Sequence, residues 1–94
     1  MAIAVVLTFR GGTLERYDEL LAKLGFQAGG PGPPGCLFSW VTATGEGLLV
    51  TAVWESKRGF EQFATDFGAR AAEVGVRGPP QITVHDVHSH LTAG

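Results

Sequence analysis

The densest run of chemically capable side chains is His85-Asp86-Val87-His88-Ser89-His90. Side chains repeat every second residue along a strand, so a regular strand would put Asp86, His88 and His90 on one face. There they would offer three facial ligands to a non-haem iron, or part of a zinc site. The apolar parity argues otherwise, because Ile82 and Val84 fall on one face while Val87 and Leu91 fall on the other. Such a shift marks a bulge or bend that separates the three, and no metal site is read here. His88 and His85 remain as imidazoles that can carry or remove a proton near neutral pH.

The other reactive types are sparse. Cys36 and Ser39 open one apolar run, but no base stands at a spacing that would make either a nucleophile. Tyr17 offers a phenol, and Trp40 and Trp54 offer flat apolar surface with one donor each. Together with Ser39 and Phe63, these are the residues expected to line a binding site.

The elements that position them follow from patterning. Ala2–Phe9 is apolar at nearly every position, which predicts a strand covered on both faces. Thr13 then caps a helix with Leu14, Tyr17, Leu20, Leu21 and Leu24 on one stripe, stopped by Gly25 at the C′ position. The segment Gly29-Gly30-Pro31-Gly32-Pro33-Pro34-Gly35 is a stiffened loop. It leads into a strand and holds three prolines without N–H donors, so it is not a phosphate cradle.

Cys36–Ala43 and Leu48–Glu55 read as strands joined by a tight hairpin with Gly45-Glu46 at its centre. Cross-strand partners then fall as Ser39 with Ala52, Trp40 with Thr51 and Leu37 with Trp54. Ser56 caps a second helix whose stripe is Phe60, Phe63, Ala64, Phe67, Ala71 and Val74. Gly75 to Pro80 break it, and Gln81–Leu91 is expected as the last strand. The order β-α-β-β-α-β predicts an α+β, ferredoxin-like fold, a four-stranded antiparallel sheet with both helices on one face.

The 94 residues make one domain, 1–94, with 45% hydrophobic and 17% charged residues. That balance excludes a disordered chain. A chain this short buries a core but has little room for a large internal cavity as well. Seven basic residues are scattered against nine acidic ones, for a net charge of −2, which excludes a nucleic-acid groove. No apolar run reaches the length of a membrane span. The single Cys cannot form an internal disulfide, as expected of a cytoplasmic protein. The helices cover one sheet face while the strands carry apolar residues on both, so the open face is expected to dock on a second copy, giving a homodimer.

With these elements in place, Val53-Trp54-Glu55-Ser56 followed by Phe60-x-x-Phe63 resembles the antibiotic-biosynthesis-monooxygenase-like branch of the dimeric α+β barrel superfamily. Pro34-Gly35 before the second strand and Val87-His88-Ser89-x-Leu91 resemble it too. The resemblance covers the whole chain and implies a homodimer binding a hydrophobic, aromatic small molecule in secondary metabolism. It further implies a monooxygenase without cofactors that works on electron-rich aromatics, with Trp54 and Trp40 forming the pocket and His88 or His85 as base. His88 would stand at the cavity mouth or the dimer interface.

The chain departs from the family where a His in the second strand commonly faces an Asp in the third; the equivalent positions are Ser39 and Ala52. Haem-degrading relatives use an Asn, a helix Trp and a helix His, and this chain has no Asn and carries Phe63 at the Trp position. Two other readings share the architecture: a non-catalytic binding or accessory protein, and a non-redox cyclase or isomerase.

Overall fold

A computed structural model describes residues 2–27, 29–71, 80–89 and 91. The elements are β1 (Ile3–Arg10), α1 (Leu14–Lys23), β2 (Cys36–Ala43), β3 (Gly47–Trp54), α2 (Lys57–Ala71) and β4 (Gln81–Asp86). They form a four-stranded antiparallel sheet in the order β2-β3-β1-β4. This is the ferredoxin-like arrangement expected from the element order.

Local chemistry sets the helix ends. The Thr13 side chain accepts from the Arg16 amide at 3.2 Å, fixing the start of α1. At its other end Gly25 takes φ +89°. The Gly25 amide donates to the Ala22 carbonyl at 3.0 Å and the Phe26 amide to Leu21 at 2.8 Å. That paired pattern is a Schellman motif, which a side chain at Gly25 would strain. Ser56 caps α2 through the Gly59 amide at 3.3 Å. Val74 and the break at 75–80 lie mostly outside the described residues.

The hairpin closes on two residues, with the Thr44 amide donating to the Gly47 carbonyl at 2.8 Å. Its register pairs Ser39 with Ala52 and Trp40 with Thr51, as the turn arithmetic predicts. Leu37 does not pair with Trp54. Cys36 takes that place, Phe38 pairs with Val53, and Leu37 is the extra residue of a β-bulge. The cause is the loop's return, in which the Glu55 amide donates to the Gly35 carbonyl at 2.8 Å and pins the strand start one residue early. β4 also differs from expectation, ending at Asp86 rather than running to Leu91.

Alternation assigns the faces. Ile3, Val5, Leu7 and Phe9 of β1 stand beside Trp54, Ala52, Val50 and Leu48 of β3. This side meets the helices through two adjoining clusters, one around Phe60 and one around Tyr17. Three rows cross the opposite, open side. They read His85, Ala4, Val53, Phe38; then Thr83, Val6, Thr51, Trp40; then Gln81, Thr8, Leu49, Thr42. Phe38 is 57% exposed there and Trp40 47%. The apolar excess is not confined to this face, because Ile82 and Val84 are also exposed although their register places them on the helix side of β4.

Candidate functional site

Between α1, α2 and the sheet lies a nearly continuous band of rings. Trp54 is 2% exposed, with ring centroids 5.9 Å from Phe60 and 5.4 Å from Phe63. Phe63 lies 6.3 Å from Phe26 and 5.7 Å from Phe67. Phe67 in turn approaches Phe9 at 5.7 Å and Tyr17 at 6.5 Å. The i, i+3, i+4, i+7 stripe of α2 builds this band: Phe60 and Phe63 pack with Ile3, Val5, Ala52 and Trp54, and Phe67 packs against Phe9, Tyr17, Leu48 and Val50.

Polar atoms enter the band at one edge. Tyr17, 9% exposed, reaches from α1 to a hydrogen bond with Ser39 on β2. Cys36 lies on the same side of β2, its thiol donating to the Phe38 carbonyl at 3.7 Å. Residues three apart on a regular strand face opposite ways. The bulge at Leu37 turns Cys36 onto the side that Ser39 occupies.

Burial is the main reason that Tyr17 is held above its ordinary pKa of 10.0; the Ser39 hydrogen bond pulls the other way, and the charges of Asp18 and a Cys36 thiolate add to the rise. The phenol is therefore neutral at physiological pH and serves as a donor, not as a base. Burial likewise pushes the Cys36 thiol up, partly offset by its bond to the Phe38 carbonyl. A thiol kept protonated in this way is a poor nucleophile. Beside Tyr17 a cleft lined by Phe9, Thr13, Arg16, Leu48 and Phe67 leads into the layer, with a cavity volume of about 20 Å³. That is room for about one water in this cleft.

The structure brings together Tyr17, Ser39, Trp54 and Phe63 in the helix-sheet layer. It does not bring Trp40, His85 or His88 to them. Trp40 and His85 stand on the open face, on strands at opposite edges of the sheet. His88 is exposed beyond the end of β4. Asp86 faces the helix side and His85 the other, so these neighbours do not converge. His90 lies outside the described residues. Among the described residues, no group of three or more His, Cys, Asp or Glu is arranged to hold a metal ion.

Cys36, Phe26 and Phe67 join the layer without having been singled out as binding residues. For Phe67 the signal was present in the α2 stripe. For Cys36 it was not, since only the bulge reverses its face. No helix among the described residues is long and apolar enough to cross a membrane.

No family model and no curated protein matches the chain. Solved structures do. A protein of Chloroflexus aurantiacus J-10-fl, provisionally named an antibiotic biosynthesis monooxygenase, is similar over 100% of both chains, with 19% identity and a TM-score of 0.65. A monooxygenase from the gene ActVA-Orf6 of Streptomyces coelicolor, in complex with nanaomycin D, is similar over 99% of this chain and 92% of its own. Its identity is 19% and its TM-score 0.57. SnoaB, a cofactor-independent oxygenase from Streptomyces nogalater, is similar over 98% and 96%, with 14% identity and a TM-score of 0.57. At such identities the likeness shows the fold alone, the βαββαβ arrangement with a four-stranded antiparallel sheet that this chain shares with those structures.

Proposed function

We propose that this chain forms a homodimer that binds a hydrophobic, aromatic small molecule in the helix-sheet layer and oxygenates it without a cofactor. The observation that carries the reading is the Tyr17–Ser39 pair, two hydroxyls at the edge of a band of rings. A planar guest seated against Trp54 and Phe63 would find its orienting donor there. The shared fold with oxygenases supports the choice of chemistry.

An electron-rich dihydroxyaromatic that has given a proton to solvent water reduces O₂ with its own electrons: one oxygen atom bonds to a ring carbon in place of its hydrogen, giving a hydroxyquinone, and the other leaves as water. The protein's part is to seat the ring in a dry layer and to stabilise the resulting oxyanion by donation from the neutral Tyr17 phenol. Ser39 donates to the Tyr17 oxygen, which leaves the phenol proton free for the guest. The homodimer would cover the open sheet face, and a single unpaired thiol suits the reducing cytoplasm.

Oxygen uptake with a panel of dihydroxyaromatics and quinols tests the reading. The expected result is uptake that Tyr17→Phe slows by about tenfold or more, the usual cost of one oxyanion donor being ~10²-fold. Binding, followed by quenching of tryptophan fluorescence, combined with no uptake of oxygen from any candidate would overturn it.

That second outcome is the signature of a non-catalytic binding or accessory protein. One observation favours that alternative: the described histidines, His85 and His88, both lie away from the layer, so no described imidazole of this chain reaches a guest held by Tyr17.

A further inference from the structure

The two ends of the ring band differ in what holds them. At the Tyr17 end the cleft walls Phe9, Tyr17, Leu20 and Leu48 are buried and come from β1, α1 and β3. Tyr17 is tied besides to Ser39 on β2. Widening that cleft means lifting α1 from the sheet and losing packed contacts on every wall.

At the other end stands Phe26. It lies past the end of α1, between the left-handed Gly25 and a turn in which the Gly30 amide donates to the Gln27 carbonyl at 3.0 Å. Its own amide donates to the Leu21 carbonyl, so its backbone is held. Its ring is held less: it is half-buried, and among the described residues its ring contact is with Phe63 at 6.3 Å. A change of χ1 takes the ring off Phe63 and breaks no backbone hydrogen bond. Phe63, half-buried itself, then offers an aromatic face with Trp54 at 5.4 Å beside it.

We infer that Phe26 occupies the seat of the guest, and that a planar aromatic enters the layer at this end by taking the place of the Phe26 ring on Phe63. The inference rests on the aromatic-binding role of the layer proposed above. The exchange trades one aromatic contact for another, so Phe26 competes with the guest and sets its affinity.

The probe is 2-naphthol, planar and uncharged at pH 7.5, titrated by calorimetry into the wild type and Phe26→Ala, with circular dichroism confirming the fold. Phe26→Ala should lower its Kd about threefold or more, the worth of one aromatic pair. In the wild type, saturation with 2-naphthol should abolish the nuclear Overhauser contact between the Phe26 and Phe63 rings and replace it with one from the probe to Phe63. The Phe26 signals are assigned by their absence in Phe26→Ala. Should that variant fail to fold, Phe26→Leu, which also removes the ring, takes its place in both roles.

A Phe26–Phe63 contact that persists at saturation overturns the inference and leaves the binding site standing. So does a Kd that is unchanged or raised when the ring is removed. Absence of binding to either protein, by 2-naphthol and by the dihydroxyaromatics of the oxygen assay alike, overturns the proposed binding itself and the inference with it.

Discussion

Tyr17 is the single tyrosine of the chain, so tyrosinate absorbance in the near ultraviolet reads one group in one place. The phenol is buried against Phe67 and bonded to Ser39, and burial outweighs the hydrogen bond in setting its pKa. The folded protein should therefore ionise at Tyr17 only above the ordinary value of 10.0, and denaturant should return the midpoint to that value. Ser39→Ala removes the one favourable contact to the phenolate and should move the midpoint further up. The sign for stability follows. A folded-state pKa above the unfolded one means that the contribution of the neutral phenol is intact below pH ~10 and is lost as pH rises through the folded pKa. Tyr17 can contribute no more than about 1.4 kcal/mol per pH unit to that fall. At neutral pH, Tyr17→Phe removes one hydrogen bond and should cost about 1 kcal/mol in urea titrations. Ser39 is exposed and can turn to water, which keeps the cost small. A folded-state midpoint at or below 10.0, or one that falls on Ser39→Ala, would refute the reasoning.

Two further contrasts are expected. A Cβ at Gly47 (φ +153°) would overlap the Phe9 carbonyl and come within 2.7 Å of the Gly11 nitrogen, while at Gly45 it would meet nothing within 4 Å. Gly47→Ala should thus cost about 2 kcal/mol or more, backbone strain alone being worth ~1–3 kcal/mol, and Gly45→Ala should stay within about 0.5 kcal/mol of wild type; equal urea midpoints would contradict this. Trp54→Ala should cost about 3–5 kcal/mol as a buried aromatic. Trp40→Ala, on the open face, should cost the monomer less than about 1 kcal/mol yet weaken self-association in sedimentation; the reverse ranking would reassign the two faces.

Most of the architecture was legible because its signals are local. Caps, the Gly25 stop and the two-residue hairpin each depend on neighbours in sequence, and their positions follow from residue type. The expectation that Trp40 joins Trp54 in one pocket fails on that same register, since a partner of Thr51 must face away from Trp54, three residues on. The bulge at Leu37 was not legible, because it arises from the Gly35 carbonyl meeting Glu55 across the sheet, a contact between segments some 20 residues apart. That one irregularity also decides the site, by turning Cys36 towards Ser39 and Tyr17. For the histidines, the parity shift already pointed to an interruption of the strand, and their role as bases came from the family resemblance. Period-two reasoning holds only while the strand lasts, and β4 ends at Asp86 before His88 is reached.

β1 is paired on both sides, and Ile3 stands opposite both Trp54 and Asp86. The hairpin of β2 and β3 closes over two residues and forms early, whereas β1 must await β4 from almost the far end of the described chain. Until it arrives, the most apolar strand of the sheet presents an open edge. In the folded state that edge is guarded by β4, six residues whose side chains are all exposed. The strand that contributes least to the core thus shields the one most prone to pair with another chain. Fraying of β4 would bare the edge of β1 without any loss from the buried clusters, none of whose residues belongs to β4.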